Sequence, residues 1–145
     1  MTATEVTLTK GTQINKGWID YRSGSAKYVL FTTAGRDSVD AWVEYLTSNS
    51  RILATEPQAT EIGGLPAVTI DVRNTGQPMD LFIYAPAPGE SATWGIPEGG
   101  VDRIHLVEAD GVIVAILIEA PEEDFDEFAT AVDNALATLE WNPEG

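Results

Sequence analysis

Hydrophobic and polar positions along the chain repeat with two periods, and each period marks a set of elements. Val6 and Leu8 alternate with Thr7 and Thr9. Residues 18–21 and 27–33 are aromatic and β-branched runs, and the Ser23-Gly24-Ser25 turn between them predicts a hairpin. Asp37 or Ser38 can then cap a helix in which Val39, Trp42, Val43 and Leu46 fall at i, i+3, i+4 and i+7. Asp40 and Glu44 take its other side, and it is expected to end near Asn49. Residues 59–62 lead into Gly63-Gly64. Beyond them, Val68, Ile70 and Val72 alternate with Thr69, Asp71 and Arg73, the pattern of a half-buried strand over 66–74. A turn at 74–77 makes residues 79–85 its expected antiparallel partner.

Residues 85–100 are rich in proline and glycine and predict a long irregular loop. A strand over 101–109 follows, with Ile104 and Leu106 alternating with Arg103 and His105. Asp110-Gly111 is the strongest hairpin signal in the chain, because glycine tolerates positive φ and aspartate accepts it well. Residues 112–120 are apolar at both parities, which predicts a central strand covered on both faces. Pro121 suits the first turn of a last helix, and Glu122, Glu123 and Asp124 complement its dipole. Phe125, Phe128, Ala129, Val132, Leu136 and Leu139 form its stripe, with Trp141 near its end and Pro143 as its stop. The expected order is β-β-β-α-β-β-β-β-α. A mainly antiparallel sheet with two amphipathic helices packed on it gives an α+β sandwich, with residues 1–145 forming one domain.

Composition narrows the function. The chain has 145 residues, 43% hydrophobic and 21% charged, which fits a globular fold and not disorder. Its 23 acidic and 8 basic residues give a net charge of −15. Nucleic acid is therefore excluded as an expected partner, and anionic membrane surfaces are disfavoured. Solubility accounts for the acidity; an acidic-surface habit and cation binding are the alternatives. The three lysines, Lys10, Lys16 and Lys27, all lie near the N-terminus, so the C-terminal half is the strongly acidic one. Cysteine is absent, which removes disulfides, thiolate metal sites and cysteine nucleophiles. The longest apolar run, 112–118, is far shorter than the ~20 residues that span a bilayer, so no membrane insertion is expected.

Four segments carry a resemblance: residues 39–49 (VDAWVEYLTSN), 61–72 (EIGGLPAVTIDV), 107–114 (VEADGVIV) and 119–128 (EAPEEDFDEF). Through these, residues 38–141 resemble an actinobacterial extracytoplasmic, lipoprotein-type domain without assigned function. The organisation is also similar to the Mog1/PsbP-like α/β sandwich. The resemblance implies an extracytoplasmic or secreted domain without known catalysis, and it transfers no functional residue. Read with Met1 as the native start, the chain is instead expected in the cytoplasm, because no basic, apolar leader is present.

Candidate chemistry is sparse. His105 is the single histidine, which excludes a multi-histidine metal site. Asp71, Arg73, Arg103 and His105 meet on one open sheet face if their strands are neighbours. Such a cluster forms either structural ion pairs or a patch for a polar ligand. The acidic run 122–127 lacks the spaced loop that folds six to eight oxygens around calcium. No nucleophile elbow, phosphate loop or zinc-binding H-E-x-x-H is present. Trp94 and Ile96 fall in the 85–100 loop, where Trp94 either folds back on the core or stands out as an aromatic anchor.

These readings predict a non-enzymatic interaction or ligand-binding domain with a protein partner. Trp94, Ile96, Asp71, Arg103 and His105 are its candidate binding residues, with no cofactor, metal or catalytic set. The alternative is a small-molecule-binding or hydrolytic domain with a pocket lidded by residues 85–100. A third possibility is an assembly subunit whose sheet face pairs with itself or another protein. The oligomeric state is not legible.

Overall fold

A computed structural model describes residues 5–7, 15–20, 27–33, 38–76, 79–84, 92–96, 99–109, 111–137 and 139–142. In chain order the elements are β1 (Glu5–Thr7), β2 (Asn15–Asp20), β3 (Lys27–Thr33), α1 (Val39–Ser48), β4 (Ile52–Ala54), β5 (Gln58–Ile62) and β6 (Leu65–Asn74). Then come β7 (Met79–Tyr84), β8 (Ala92–Ile96), β9 (Gly100–Ala109), β10 (Val112–Pro121), α2 (Phe125–Leu136) and β11 (Glu140–Asn142).

Strand β10 organises the main sheet, whose order is β2-β3-β10-β9-β6-β4, with β5 also paired to β6. All of its pairings are antiparallel. Gly111, at φ 76°, makes the β9–β10 turn with Val112 opposite Ala109. Strands β4 and β5 take successive parts of one β6 edge. Thr55 bridges them, donating its N–H to the Asp71 carbonyl at 2.9 Å and accepting the Asp71 N–H on Oγ1 at 3.0 Å.

Residue parity on β10 explains the layers. Val114, Ile116, Ile118 and Ala120 join Phe125, Phe128, Ala129, Val132 and Leu136 of α2 in one core. Ile113, Ala115 and Leu117 join Trp42 and Leu46 of α1 in the other, with Ile70, Val72, Ile104, Leu106 and Ile96. The two helices therefore cover opposite faces of one sheet, an α+β sandwich. Ser38 starts α1, its Oγ accepting the Ala41 N–H at 3.0 Å. No described helix is long and apolar enough to cross a membrane.

Four expectations are corrected. Strand β7 pairs with β8 in a separate two-stranded sheet, because both edges of β6 are already taken by β9 and by β4 and β5. Residues 92–96 of the expected loop are therefore strand. Ile96 anchors it under α1, and Asn74 Nδ2 donates to the Ile96 carbonyl at 3.2 Å. Pro121 closes β10 and does not open α2, which begins after a turn at 122–124. Finally, α2 ends at Leu136, so Leu139 and Trp141 follow it, and Trp141 lies in β11 beside β1 in parallel pairing.

The β5–β6 hairpin turns through Gly63 and Gly64, at φ 60° and 85°, the pair of positive angles that a two-residue type I′ turn requires. A Cβ on Gly63 would collide with the Trp141 indole, whose Nε1–H donates to the Ile62 carbonyl at 2.9 Å. This contact ties the hairpin to the segment after α2.

Asp102 and Glu119 break the apolar rule at one end of the α1 face. Asp102 is fully buried and stands opposite Glu119 in the ladder. Burial pushes the Glu119 carboxyl up to about 7. A carboxyl with a raised folded pKa binds more protons folded than unfolded, so its contribution is lost as pH rises from the usual carboxylate range through about 7. Glu119→Gln is expected to flatten a stability decrease of roughly 1–3 kcal/mol between pH 5 and 8. An unchanged pH profile of thermal melting for that variant would contradict the assignment. Phe128→Asp, which places a charge at a 6% exposed core position, should cost upwards of ~3 kcal/mol. A melting temperature within a degree or two of wild type would show that α2 packs through another face.

Candidate functional site

The register between β6 and β9 sets Thr69 opposite His105 and Asp71 opposite Arg103. Cross-strand partners share a face, and these four share the α2 side, because Ala67 and Val107 of the same parity lie in the α2 core. Asp71, Arg103 and His105 therefore meet as expected, but beneath α2 and not on an open sheet face, and with two residues that sequence reasoning missed, Thr69 and Asp133.

Arg103 is the fork that joins the layers. Its Nε and Nη2 donate to the two carboxylate oxygens of Asp71 at 2.8 and 3.0 Å, and its Nη1 donates to Asp133 Oδ2 on α2 at 2.8 Å. The guanidinium also lies 5.3 Å from the centre of the Phe125 ring, within cation–π range. The Asp71 hydrogen bond outweighs desolvation and raises the Arg103 pKa further, so the charge is permanent. Arg73, next along the same face, grips Glu122 with Nε–Oε2 at 3.0 Å and Nη2–Oε1 at 2.8 Å. That hydrogen bond holds Glu122 below the usual carboxylate range. Both partners are exposed, so the pair adds little stability.

His105 is only 5% exposed and is held at both ring nitrogens. Nε2 lies 3.0 Å from Asp133 Oδ1, and Nδ1 lies 2.6 Å from Thr69 Oγ1. An ionised carboxylate can only accept, so Nε2 carries a proton. In the neutral ring, Nδ1 then accepts from the Thr69 hydroxyl. Thr69 has spent its one proton, so its oxygen takes the Thr60 hydroxyl at 3.0 Å. Burial pushes Asp133 upward, but the His105 hydrogen bond and the His105 and Arg103 charges outweigh it, and the carboxyl titrates below its ordinary range. The result is one chain of donors and acceptors from exposed Thr60 to Asp71.

A hydroxyl–imidazole–carboxylate series is the arrangement that activates a nucleophile. Here its termini are already satisfied inside the protein. Among the described residues no group of three or more His, Cys, Asp or Glu is placed to hold a metal ion.

The other two expected binding residues lie elsewhere. Ile96 is fully buried in the α1-side core and presents no binding surface. Trp94 stands opposite Phe82 in the β7–β8 ladder; its side chain lies outside the described set, as do residues 85–91 of the expected lid.

A second feature lies on the α1 side of the sheet, at the β5 edge. A groove of ≈ 560 Å³ is lined by Val39, Ala59, Thr60, Pro66, Ala67, Val68, Leu106, Glu108 and Gly111. No signal in the sequence marked it, because it brings together residues of α1, β5, β6 and β9 that lie far apart along the chain.

Because Asp133 is held ionised by His105 and Arg103, its contribution is present above the usual aspartate range and lost as pH falls through the lowered value. Because the Asp133 side chain is 38% exposed and water screens its pairings, Asp133→Asn should cost only about 0.5–1.5 kcal/mol at pH 7, and the gap to wild type should narrow below pH ~4. A gap independent of pH in denaturant melts would count against an ionised Asp133. No protein-family model matches the chain, and no curated protein matches it.

Proposed function

We propose that the protein is a non-enzymatic binding domain, and that its binding surface is the groove at the β5 edge. The observation that carries this reading is the groove itself. It is concave and mainly apolar, it has acidic Glu108 at one side, and it opens beside a strand edge. Binding sites are commonly concavities with few polar groups. The polar seam serves instead as the fastener of α2 to β6 and β9, because its histidine is buried and bonded at both ring nitrogens. The resemblance to extracytoplasmic, lipoprotein-type domains supports the same class of function and display outside the membrane.

A second reading, hydrolysis, draws on one observation, the Thr69–His105–Asp133 series. In that case Thr69→Val abolishes hydrolysis of a chromogenic ester panel, whereas the binding reading expects wild type and variant to match the uncatalysed rate.

The direct test is occupancy of the groove by an uncharged apolar dye, N-phenylnaphthylamine, followed by fluorescence. Wild type is expected to bind it, and Ala59→Trp, which fills the groove from an exposed position, is expected to weaken binding at least about tenfold. Equal binding by both proteins would place the dye elsewhere and remove the basis of the proposal.

A further inference from the structure

The backbone of β5 specifies what the groove takes. Gly63 and Gly64 form a two-residue turn, so Ile62 and Leu65 are a hydrogen-bonded pair, and the pairing type then alternates along the hairpin. Thr60–Ala67 and Gln58–Thr69 are hydrogen-bonded pairs; Glu61–Pro66 and Ala59–Val68 are not. Pro66, which has no N–H to give, falls at a position where none is needed. It follows that the N–H and C=O of Ala59 and of Glu61 point away from β6. Among the described residues no strand lies on that side, and β5 is exposed from Gln58 to Glu61.

The side chains at the same two positions complete the specification. Ala59 and Glu61 share the face of Val68 and Pro66, the face of the groove. Glu108 lies on that face too, because it has the parity of Leu106. Val39, Ala59, Val68 and Leu106 give the groove an apolar lining that also holds Glu108 and no basic residue, and Glu61 lies two residues along β5 from Ala59 on the same face.

We infer that β5 is a strand-addition site for an extended peptide segment that pairs antiparallel along Ala59 and Glu61. Cross-strand partners share a face. The residue opposite Ala59 therefore projects an aliphatic side chain into the groove, and the residue opposite Glu61, two positions earlier in the partner, carries lysine or arginine. The recognised pattern is Lys/Arg-x-Val/Ile/Leu, with main-chain hydrogen bonds supplying affinity and the two side chains supplying specificity. A second copy of this chain is the disfavoured occupant. It would bring a further net charge of −15 and set its own Glu61 opposite Ala59, toward Glu108.

This inference rests on the groove reading above, and the test separates the two. The probe is a capped pentapeptide, Thr-Lys-Thr-Val-Thr, titrated into isotope-labelled protein and followed by amide NMR shifts to a few millimolar. Shifts are expected at 58–62 and around Val68 and Leu106. Three changes should each weaken binding at least tenfold: N-methylation of the peptide valine, Glu in place of the peptide lysine, and Ala59→Pro, which deletes an outward N–H without touching the β5–β6 ladder. Glu61→Lys should reverse the preference in favour of the Glu peptide. An unshifted spectrum, shifts confined to another surface, or equal binding of the N-methylated peptide each overturns strand addition. If the apolar dye still enters the groove in those cases, the groove reading survives alone; if neither binds, both fail.

Discussion

A strand that is apolar on both faces must be covered twice, and β10 is that strand. Ile113, Ala115 and Leu117 need one cover and Val114, Ile116 and Ile118 need another. The chain meets this demand with α1 on one side and α2 on the other. Neighbours β3 and β9 are fixed by the same requirement, since the backbone of a doubly covered strand has only other strands to bond with. Everything that positions the candidate surfaces follows from β9 lying against β10 and carrying β6 on its far edge.

The two covers are unequal. On the α2 side, the apolar stripe gives way along β6 to a row of polar residues, and Arg103 and His105 reach from the sheet to a single helix carboxylate, Asp133. Because the seam lies partly out of water, its carboxylate is held against the cost of burial by hydrogen bonds from His105 and Arg103 and by the Arg103 charge. Its value is orientational: it fixes the rotation of α2 about its axis, which apolar packing alone constrains loosely. On the α1 side the helix is shorter, and the β7–β8 hairpin completes the cover through Ile96. Near the start of α1 the cover stops short of β5, and the groove is what remains.

Much of this layout was legible in the sequence because it is written in local periods. The stripe of Trp42 and Leu46, the double parity of 112–120, and the Asp110-Gly111 turn each need only nearby residues to be read. The meeting of Asp71, Arg103 and His105 was legible as well, since alternation placed them on one face of strands that turned out to be neighbours. What was missed depends on long-range choices. Asp133 looks like a solvent-facing helix residue, because it sits at the flank of the stripe and nothing local shows which sheet residue it meets. Strand β8 is hidden by proline and glycine at its borders. The pairing of β7 was misassigned because a short turn suggests β6 as partner, whereas β9, β4 and β5 compete for the same edges and win.

The acidic character acquires a place in this picture. Glu61 and Glu108 stand beside an apolar floor at an edge whose outward amides belong to alternate residues. Amide hydrogen exchange on the uncomplexed protein tests this edge most directly. The N–H groups of Thr60 and Ile62 are expected to be protected by β6, while those of Ala59 and Glu61 exchange orders of magnitude faster. Equal protection at all four positions would mean that the β5 edge is covered in solution, and the binding surface described here would not exist.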